Sequence, residues 1–192
     1  MKICEIAIIR TGLVLSRKEA SLDMDYYTYP AISLKNITED GQILLTQIEN
    51  YYAAEELKRE YFTQDGDILL RLSTPYTAIL ITEKETNLLV PSHFAIIRVD
   101  KTVDPNYLHW WLAKNRKRFY QMASGGTMMG TISAGYVSEI SVDLPSLDLQ
   151  RKIAKLSELE KREQQLLLLL SEKKKKLIDA IITKIINNKG EV

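Results

Sequence analysis

From Ser146 to Asn188 the chain holds no proline or glycine, and its apolar residues return on a helical beat. Ile153, Leu156, Leu159, Leu166, Leu170, Leu177, Ile181 and Ile185 are separated by 3, 3, 7, 4, 7, 4 and 4 positions. Those intervals place all eight on one stripe of an α-helix. At 1.5 Å per residue the helix would be roughly 60 Å long, well beyond the usual three or four turns. A globular domain built from the rest of a 192-residue chain is too small to cover such a stripe along its whole length. The stripe therefore predicts a second helix against it, from another copy or from a partner. The plainer alternative is an amphipathic helix folded back on its own domain.

The length suits one globular domain plus this appendage, with a boundary near Pro145: residues 1–145 as a domain and 146–192 as the helix. Apolar residues at 45% and charged residues at 27% are those of a globular protein. The formal net charge is +1, so any attraction to a polyanion must come from a local patch. The sequence has one cysteine, Cys4, which excludes an internal disulfide or a cysteine zinc cluster. Its neighbours Ile3 and Ile6 predict a buried thiol. The longest apolar run, Leu166 to Leu170, is too short to span a bilayer, and nothing resembles a signal peptide. The expected location is cytoplasmic, with no membrane partner.

Ahead of the helix, short β-type runs alternate with turn signals. Lys2 to Leu15 reads as strand, or as a short helix then strand, around Ile3, Ile6, Ile8 and Ile9. Further strands are expected at Tyr26 to Leu34, Gln42 to Thr46, Ile68 to Leu72, Thr77 to Thr82, Leu88 to Val90, Phe94 to Val99 and Ile140 to Leu144. Tyr51 to Tyr61 is rich in helix formers and predicts one or two turns of helix. Asp104-Pro105 reads as an N-cap followed by proline at the first helical position. The helix it opens should run to Gly125-Gly126, with Tyr107, Leu108, Trp111, Leu112, Phe119 and Met122 on one face. Ser146 is a candidate cap for the long helix, with Asp148 in its first turn. The fold class is α+β: a mixed or antiparallel sheet domain, then one long helix forming an antiparallel coiled coil.

Catalytic signatures are weak. Ser73-Thr74-Pro75-Tyr76 lacks the first proline of the loop found in amino-group DNA methyltransferases, and no glycine-rich loop precedes it. Asp40, Glu56 and Lys58 could imitate a metal-dependent nuclease, in which acids hold a cation and lysine orients water. Such pairs arise by chance at this charge content. His93 and His109 have no metal-ligand spacing, and no metal site is expected. Binding is better supported. Lys114, Arg116, Lys117 and Arg118 put four cations in five positions beside Phe119 and Tyr120. Such a wall neutralises phosphates, and arginine also reaches guanine edges. Loops project Lys35 and Asn36, then Arg71, Ser73, Thr74 and Tyr76, then Thr127, all side chains able to meet bases or phosphates. These eleven residues are the candidate DNA contacts.

Several short passages, taken in order, resemble one half of a type I restriction–modification specificity subunit. They are Leu34-Lys35-Asn36-Ile37 with Asp40-Gly41-Gln42-Ile43; Gly66-Asp67-Ile68-Leu69; Ile96-Ile97-Arg98 ahead of Pro105-x-Tyr107-Leu108; and Gly125-Gly126-Thr127 with Ile132-Ser133. The most specific is the exit, Ile140-Ser141-Val142-Asp143-Leu144-Pro145-Ser146-Leu147, then Gln150 and Ile153. It is similar to that family's junction between target recognition domain and spacer helix.

The resemblance implies a non-catalytic DNA-reading subunit. Its target recognition domain reads half of a split double-stranded DNA site. Modification subunits dock on the helix and methylate adenine N6, and a restriction subunit can join. S-adenosylmethionine, ATP and Mg²⁺ then belong to those partners, and this chain carries no cofactor. Full members have two domains and two helices. A homodimer with antiparallel helices would restore that arrangement, with Glu163 of one copy facing Lys173 of the other across the seam. Two other readings remain at this stage: an assembly module or truncated fragment without its own DNA binding, and the nuclease through Asp40, Glu56 and Lys58.

Overall fold

The computed structural model describes residues 1–21, 25–124 and 130–188. Its regular elements are β1 (Ala7–Thr11), β2 (Tyr27–Ala31), β3 (Glu49–Ala53), β4 (Ile68–Arg71), β5 (Ala78–Leu80) and β6 (Phe94–Val99), then α1 (Pro105–Lys114), α2 (Arg116–Ser124), α3 (Ala134–Glu139) and α4 (Leu147–Asn188). The chain divides into two units, Met1–Arg151 and the part of α4 from Lys152 onward. The α+β class with antiparallel sheets and a long C-terminal helix is as the sequence predicts.

The first unit is organised by a four-stranded antiparallel sheet in the order β1-β6-β4-β5. The unbroken apolar run Ile68-Leu69-Leu70 suits an inner strand with both faces covered, and all three side chains are fully buried. Leu69 stands opposite Ile79 on β5 and Ile96 on β6. These three join Ile32, Ile81, Leu88, Val90 and Phe94 in one core cluster. A second cluster of Leu13, Ala31, Tyr51, Ala53, Leu57 and Leu89 lies under the two-stranded ribbon β2–β3. Within this second cluster Leu89 bridges both Ala31 and Phe62. Gly12 is required where the chain crosses this junction: a Cβ there would lie 2.3 Å from the Pro91 carbonyl oxygen.

The turn Gln64-Asp65-Gly66-Asp67, with Gly66 at φ +81, aims the Asp67 carboxylate inward. Arg98 on β6 meets it in a two-point bond, donating from Nε at 2.7 Å and from Nη2 at 2.8 Å. The Gln64 amide donates to the same carboxylate at 2.8 Å. The buried charge is thus both paired and hydrogen-bonded, the condition for tolerating it inside. The bond to Asp67 raises the pKa of Arg98 above its ordinary value.

Several local expectations change. Tyr51 to Tyr61 is not helical. Tyr51 and Tyr52 lie in β3, paired antiparallel with β2, and a single 3₁₀ turn follows at Arg59–Tyr61. The burial of Tyr51 and Ala53 against Leu13 and Leu89 outweighs local helix propensity. Gln42 to Thr46 gives one bridge, Ile37 to Ile43, and a 3₁₀ turn at Leu45–Gln47. Ile140 to Leu144 gives one bridge, Ser141 to Lys2. Leu88 to Val90 contributes isolated bridges in place of a strand. Cys4 is exposed, because the 3₁₀ turn Ile3–Glu5 buries Ile3 and Ile6 and turns the residue between them outward.

The helix expected from Pro105 onward is two helices. Asp104 caps α1 as predicted, accepting from Asn106 N at 2.9 Å and Tyr107 N at 3.3 Å. At Asn115 the backbone leaves helical geometry, the Asn115 side chain caps the Trp111 carbonyl, and α2 begins. Tyr107, Leu108, Trp111, Leu112 and Phe119 are buried, while Met122, beyond the break, is exposed.

The first turn of α4 is built into the first unit, which runs to Arg151. Gln150 is the reason. Its buried amide accepts from Asp104 N at 2.8 Å and donates to Pro145 O at 2.9 Å and Thr102 O at 3.2 Å. It therefore ties the start of α4 to the cap of α1. The Tyr107 hydroxyl donates to Asp143 O beside it. Burial, and to a smaller degree the nearby Asp143 carboxylate, raises the pKa of that phenol.

Two substitutions measure these anchors. Asp67→Ala strands the Arg98 guanidinium and the Gln64 amide, and should lower unfolding free energy by about 3 kcal/mol in urea titration. Gln150→Leu keeps the volume but orphans the Asp104 amide, and should cost about 2 kcal/mol.

Candidate nucleic-acid interface

The segment after β4 turns sharply at Ser73–Tyr76. Tyr76 N donates to Ser73 O at 2.8 Å, and Tyr76 itself sits at φ 54, a left-handed conformation uncommon for an aromatic residue. What holds it is packing. The Tyr76 ring is 1% exposed. It lies 4.9 Å from the Tyr120 ring, edge to face, and 6.0 Å from that of Phe119. The Tyr120 hydroxyl reaches Pro75 O at 3.4 Å. The other side of the turn is stitched to the segment ahead of α3. Ser73 bridges Thr131, Ile132 N donates to Leu72 O at 2.8 Å, and Thr74 N donates to Gly130 O at 3.4 Å.

This bracing sorts the candidate contacts. Arg71, Ser73 and Thr74 come together on the outer side of the turn, where Arg71 Nε donates to Ser73 Oγ at 3.2 Å and Thr74 is exposed. Thr131, exposed and opposite Ser73, joins them. The sequence alone could not single it out, since its neighbours are set by a long-range pairing. Tyr76 is not available to a ligand: it is the buried post under the turn. Asn36 is likewise structural. It is 2% exposed, accepts from Ser33 N at 2.7 Å and donates to Gln47 O at 2.7 Å.

The four cations do not form one wall. The break at Asn115 leaves Lys114 at the end of α1 and the other three in the first turn of α2. Lys114 and Lys117 are exposed. Arg118 is exposed but engaged, its guanidinium 5.3 Å from the Trp111 ring centre and 3.4 Å from Ser141 O. Arg116 is half-buried, one helical turn before Tyr120, and its Nε is buried without a partner. Lys35 is exposed beside a separate cleft of about 440 Å³ with Thr46, Gln47 and Glu49. Thr127 lies outside the described residues.

Asp40 and Glu56, the acids of the nuclease reading, have separate local settings. Asp40 is used in its own turn, taking Thr38 Oγ1 at 2.5 Å and Gln42 Nε2 at 2.9 Å. Glu56 borders a different cleft of about 510 Å³, with Tyr29, Arg59, Phe62 and Asn87. Among the described residues no group of three or more His, Cys, Asp or Glu is placed to hold a metal. Nor is any described helix long and apolar enough to cross a membrane.

The family model of the type I restriction modification DNA specificity domain matches residues 1–177, which takes in the sheet domain and most of α4. The chain belongs to that family. No curated protein sequence matches it significantly. Solved structures agree on the fold of the specificity domain. A chain from a study of complex assembly and conformational transition in the type I R-M system superposes with a TM-score of 0.66 at 16% identity, covering 92% of this chain and 45% of its own. The HsdS subunit from Thermoanaerobacter tengcongensis gives 0.63 at 16% identity, covering 86% and 43%. The type I restriction–modification S subunit from M. genitalium gives 0.53 at 15%, covering 85% and 38%. This chain spans less than half the length of each.

For a type I specificity domain, the exit passage Leu144-Pro145-x-Leu147-x-x-Gln150 now has a mechanical meaning, since its glutamine is the residue that joins α4 to α1. The buried Tyr76 hydroxyl supplies a test of the site's architecture. With no partner it is a desolvated polar group, so Tyr76→Phe should raise stability by about 1 kcal/mol in urea titration.

Proposed function

We propose that this chain is the non-catalytic, sequence-reading subunit of a type I restriction–modification system, reading one half of a bipartite double-stranded DNA site. The observation that carries the reading is the family match across residues 1–177, which spans both the domain and its helix. On the domain, Arg71, Ser73 and Thr74 form a polar edge braced from beneath, and we assign base contact to it, together with Thr131. Arginine and hydroxyl side chains suit that task, arginine at guanine and Ser or Thr at several bases. Lys114, Arg116 and Lys117 lie on the helices flanking that edge and are assigned to phosphates, as is Lys35 from its separate loop. Thr127 remains a candidate contact. Arg118 contributes charge while held by Trp111.

The helix serves the partners. Leu166 to Leu170 are five successive leucines, each about half exposed or more. Consecutive residues point around the whole helix, so this zone is apolar on every side. One facing helix cannot cover it. A second copy of this chain along one face and a methyltransferase subunit along another would cover it. The chain thereby positions adenine-N6 methyltransferase subunits, and a restriction subunit when one joins. S-adenosylmethionine, ATP and Mg²⁺ act on those subunits. A homodimer supplies two reading domains, and its twofold symmetry calls for an inverted-repeat split site.

The test is a gel shift by the purified chain with its modification subunit, alongside mapping of N6-methyladenine in cells with and without the gene. A salt-sensitive, sequence-specific shift and loss of methylation at one split motif are expected. Association without any DNA effect would favour a pure assembly module. Magnesium-dependent cutting by the chain alone would demand a nuclease. Lys114→Ala and Lys117→Ala should each reduce the slope of log K against log salt by about 0.9, without changing the preferred sequence.

A further inference from the structure

Between Leu159 and Leu177 the helical seam of α4 reads the same in both directions, and its two charged positions, Glu163 and Lys173, exchange sign under that reversal. Around residue 168, Leu159 mirrors Leu177, Leu166 mirrors Leu170, and Glu163 mirrors Lys173. All six are exposed, and the four leucines are 49–61% exposed. Their spacing is a continuous alternation of four and three, the seam of a coiled coil. A twofold axis joins a surface to itself, so each residue must find its mirror on the other copy. This stretch meets that condition at every seam position.

We infer that Glu163 and Lys173 are the register-setting pair of an antiparallel self-association centred on residue 168 of α4. The inference rests on the homodimer of the preceding section and gives that dimer its direction and its register. Antiparallel alignment about residue 168 sets Glu163 against Lys173 of the second copy twice, with leucine against leucine on either side. A parallel, in-register pair sets Glu163 on Glu163 and Lys173 on Lys173, like charges inside the seam. A slip by one heptad in the antiparallel pair sets Glu163 against Leu166 or Ala180, and Lys173 against Leu156 or Leu170. Each of those leaves a charge desolvated without a partner, the costly case. The leucines supply the attraction by withdrawing apolar surface from water. The charged pair chooses among the arrangements the leucines would accept. Beyond Leu177 the stripe continues through Ile181 and Ile185 without mirror partners, so the charges, and not the ends of the helix, must set the register.

Sedimentation of the full chain tests this with four forms: wild type, Glu163→Lys, Lys173→Glu and the double exchange. Each single exchange creates like-charge contacts at both symmetry-related sites and should weaken self-association at least tenfold. The double exchange should restore it. An equimolar mixture of the two single variants should also restore it, as a heterodimer. Equal association of all four forms overturns the register and leaves the homodimer standing. A monomeric wild type at tens of micromolar overturns the homodimer and the register with it. Cross-linking reads direction independently, in a Cys4→Ser background because Cys4 is exposed. Leu159→Cys alone should not cross-link, since its copies would stand about 27 Å apart along the axis. Mixed with Leu177→Cys it should form disulfide dimers. Efficient cross-linking of Leu159→Cys with itself would instead mean a parallel pair.

Discussion

The constraint on which everything else depends is the apolar surface of α4. Its leucines and isoleucines from Leu156 to Ile186 stand 47–72% exposed. An exposed apolar surface of this extent marks a protein interface. Forty-two residues of helix cannot satisfy it from within. The helix therefore presents an interface that calls for a partner, while Met1–Arg151 forms a separate folded unit. In the proposed self-association, Glu163 and Lys173 would choose among arrangements, because hydrophobic contact alone has little directional preference.

The first turn of α4 belongs to the first unit, and Gln150 fastens it there. One amide group reaches the cap of α1, the loop before it and the Pro145 carbonyl. Neutral hydrogen bonds of this kind contribute modestly each, yet they are costly to leave unmade once buried. The domain end of the connection is thus specified by geometry as much as by energy. Asp67 and Arg98 do the equivalent work inside the sheet, clamping the turn ahead of β4 to β6. From there β4 delivers Arg71, Ser73 and Thr74 to the surface. The polar edge lies at the far end of β4 from this two-point ion pair, and the strand between them is fully buried through Leu70, which gives the proposed contact surface a rigid support.

The same edge shows how burial and function divide a single turn. Tyr76 takes an unfavourable backbone conformation and hides its ring beneath Phe119 and Tyr120. Its neighbours Ser73 and Thr74 are free to face a ligand because Tyr76 is not. In α2 the division is similar. Arg118 lies over Trp111 while Lys117 faces solvent, although both belong to one basic run.

What the sequence by itself determined was whatever depends on periodicity and on short-range chemistry. The stripe of α4, the inner strand Ile68-Leu69-Leu70, the Asp104-Pro105 cap and the turn at Gly66 all follow from spacing or from backbone preferences, which act between near neighbours. The family could be recognised from the exit passage for the same reason: its order of residues encodes a local joint. Only the tertiary structure decided the rest. It placed Tyr51 in a strand, because β2 and Leu89 bury it from elsewhere in the chain. It split the helix at Asn115, turned Cys4 outward, and withdrew Asn36 and Tyr76 from the surface that their polar atoms suggested. It added Thr131 by pairing it with Ser73 across the fold. Burial is a property of three-dimensional neighbours, and a side chain with both a polar tip and a large body can serve either role until those neighbours are known.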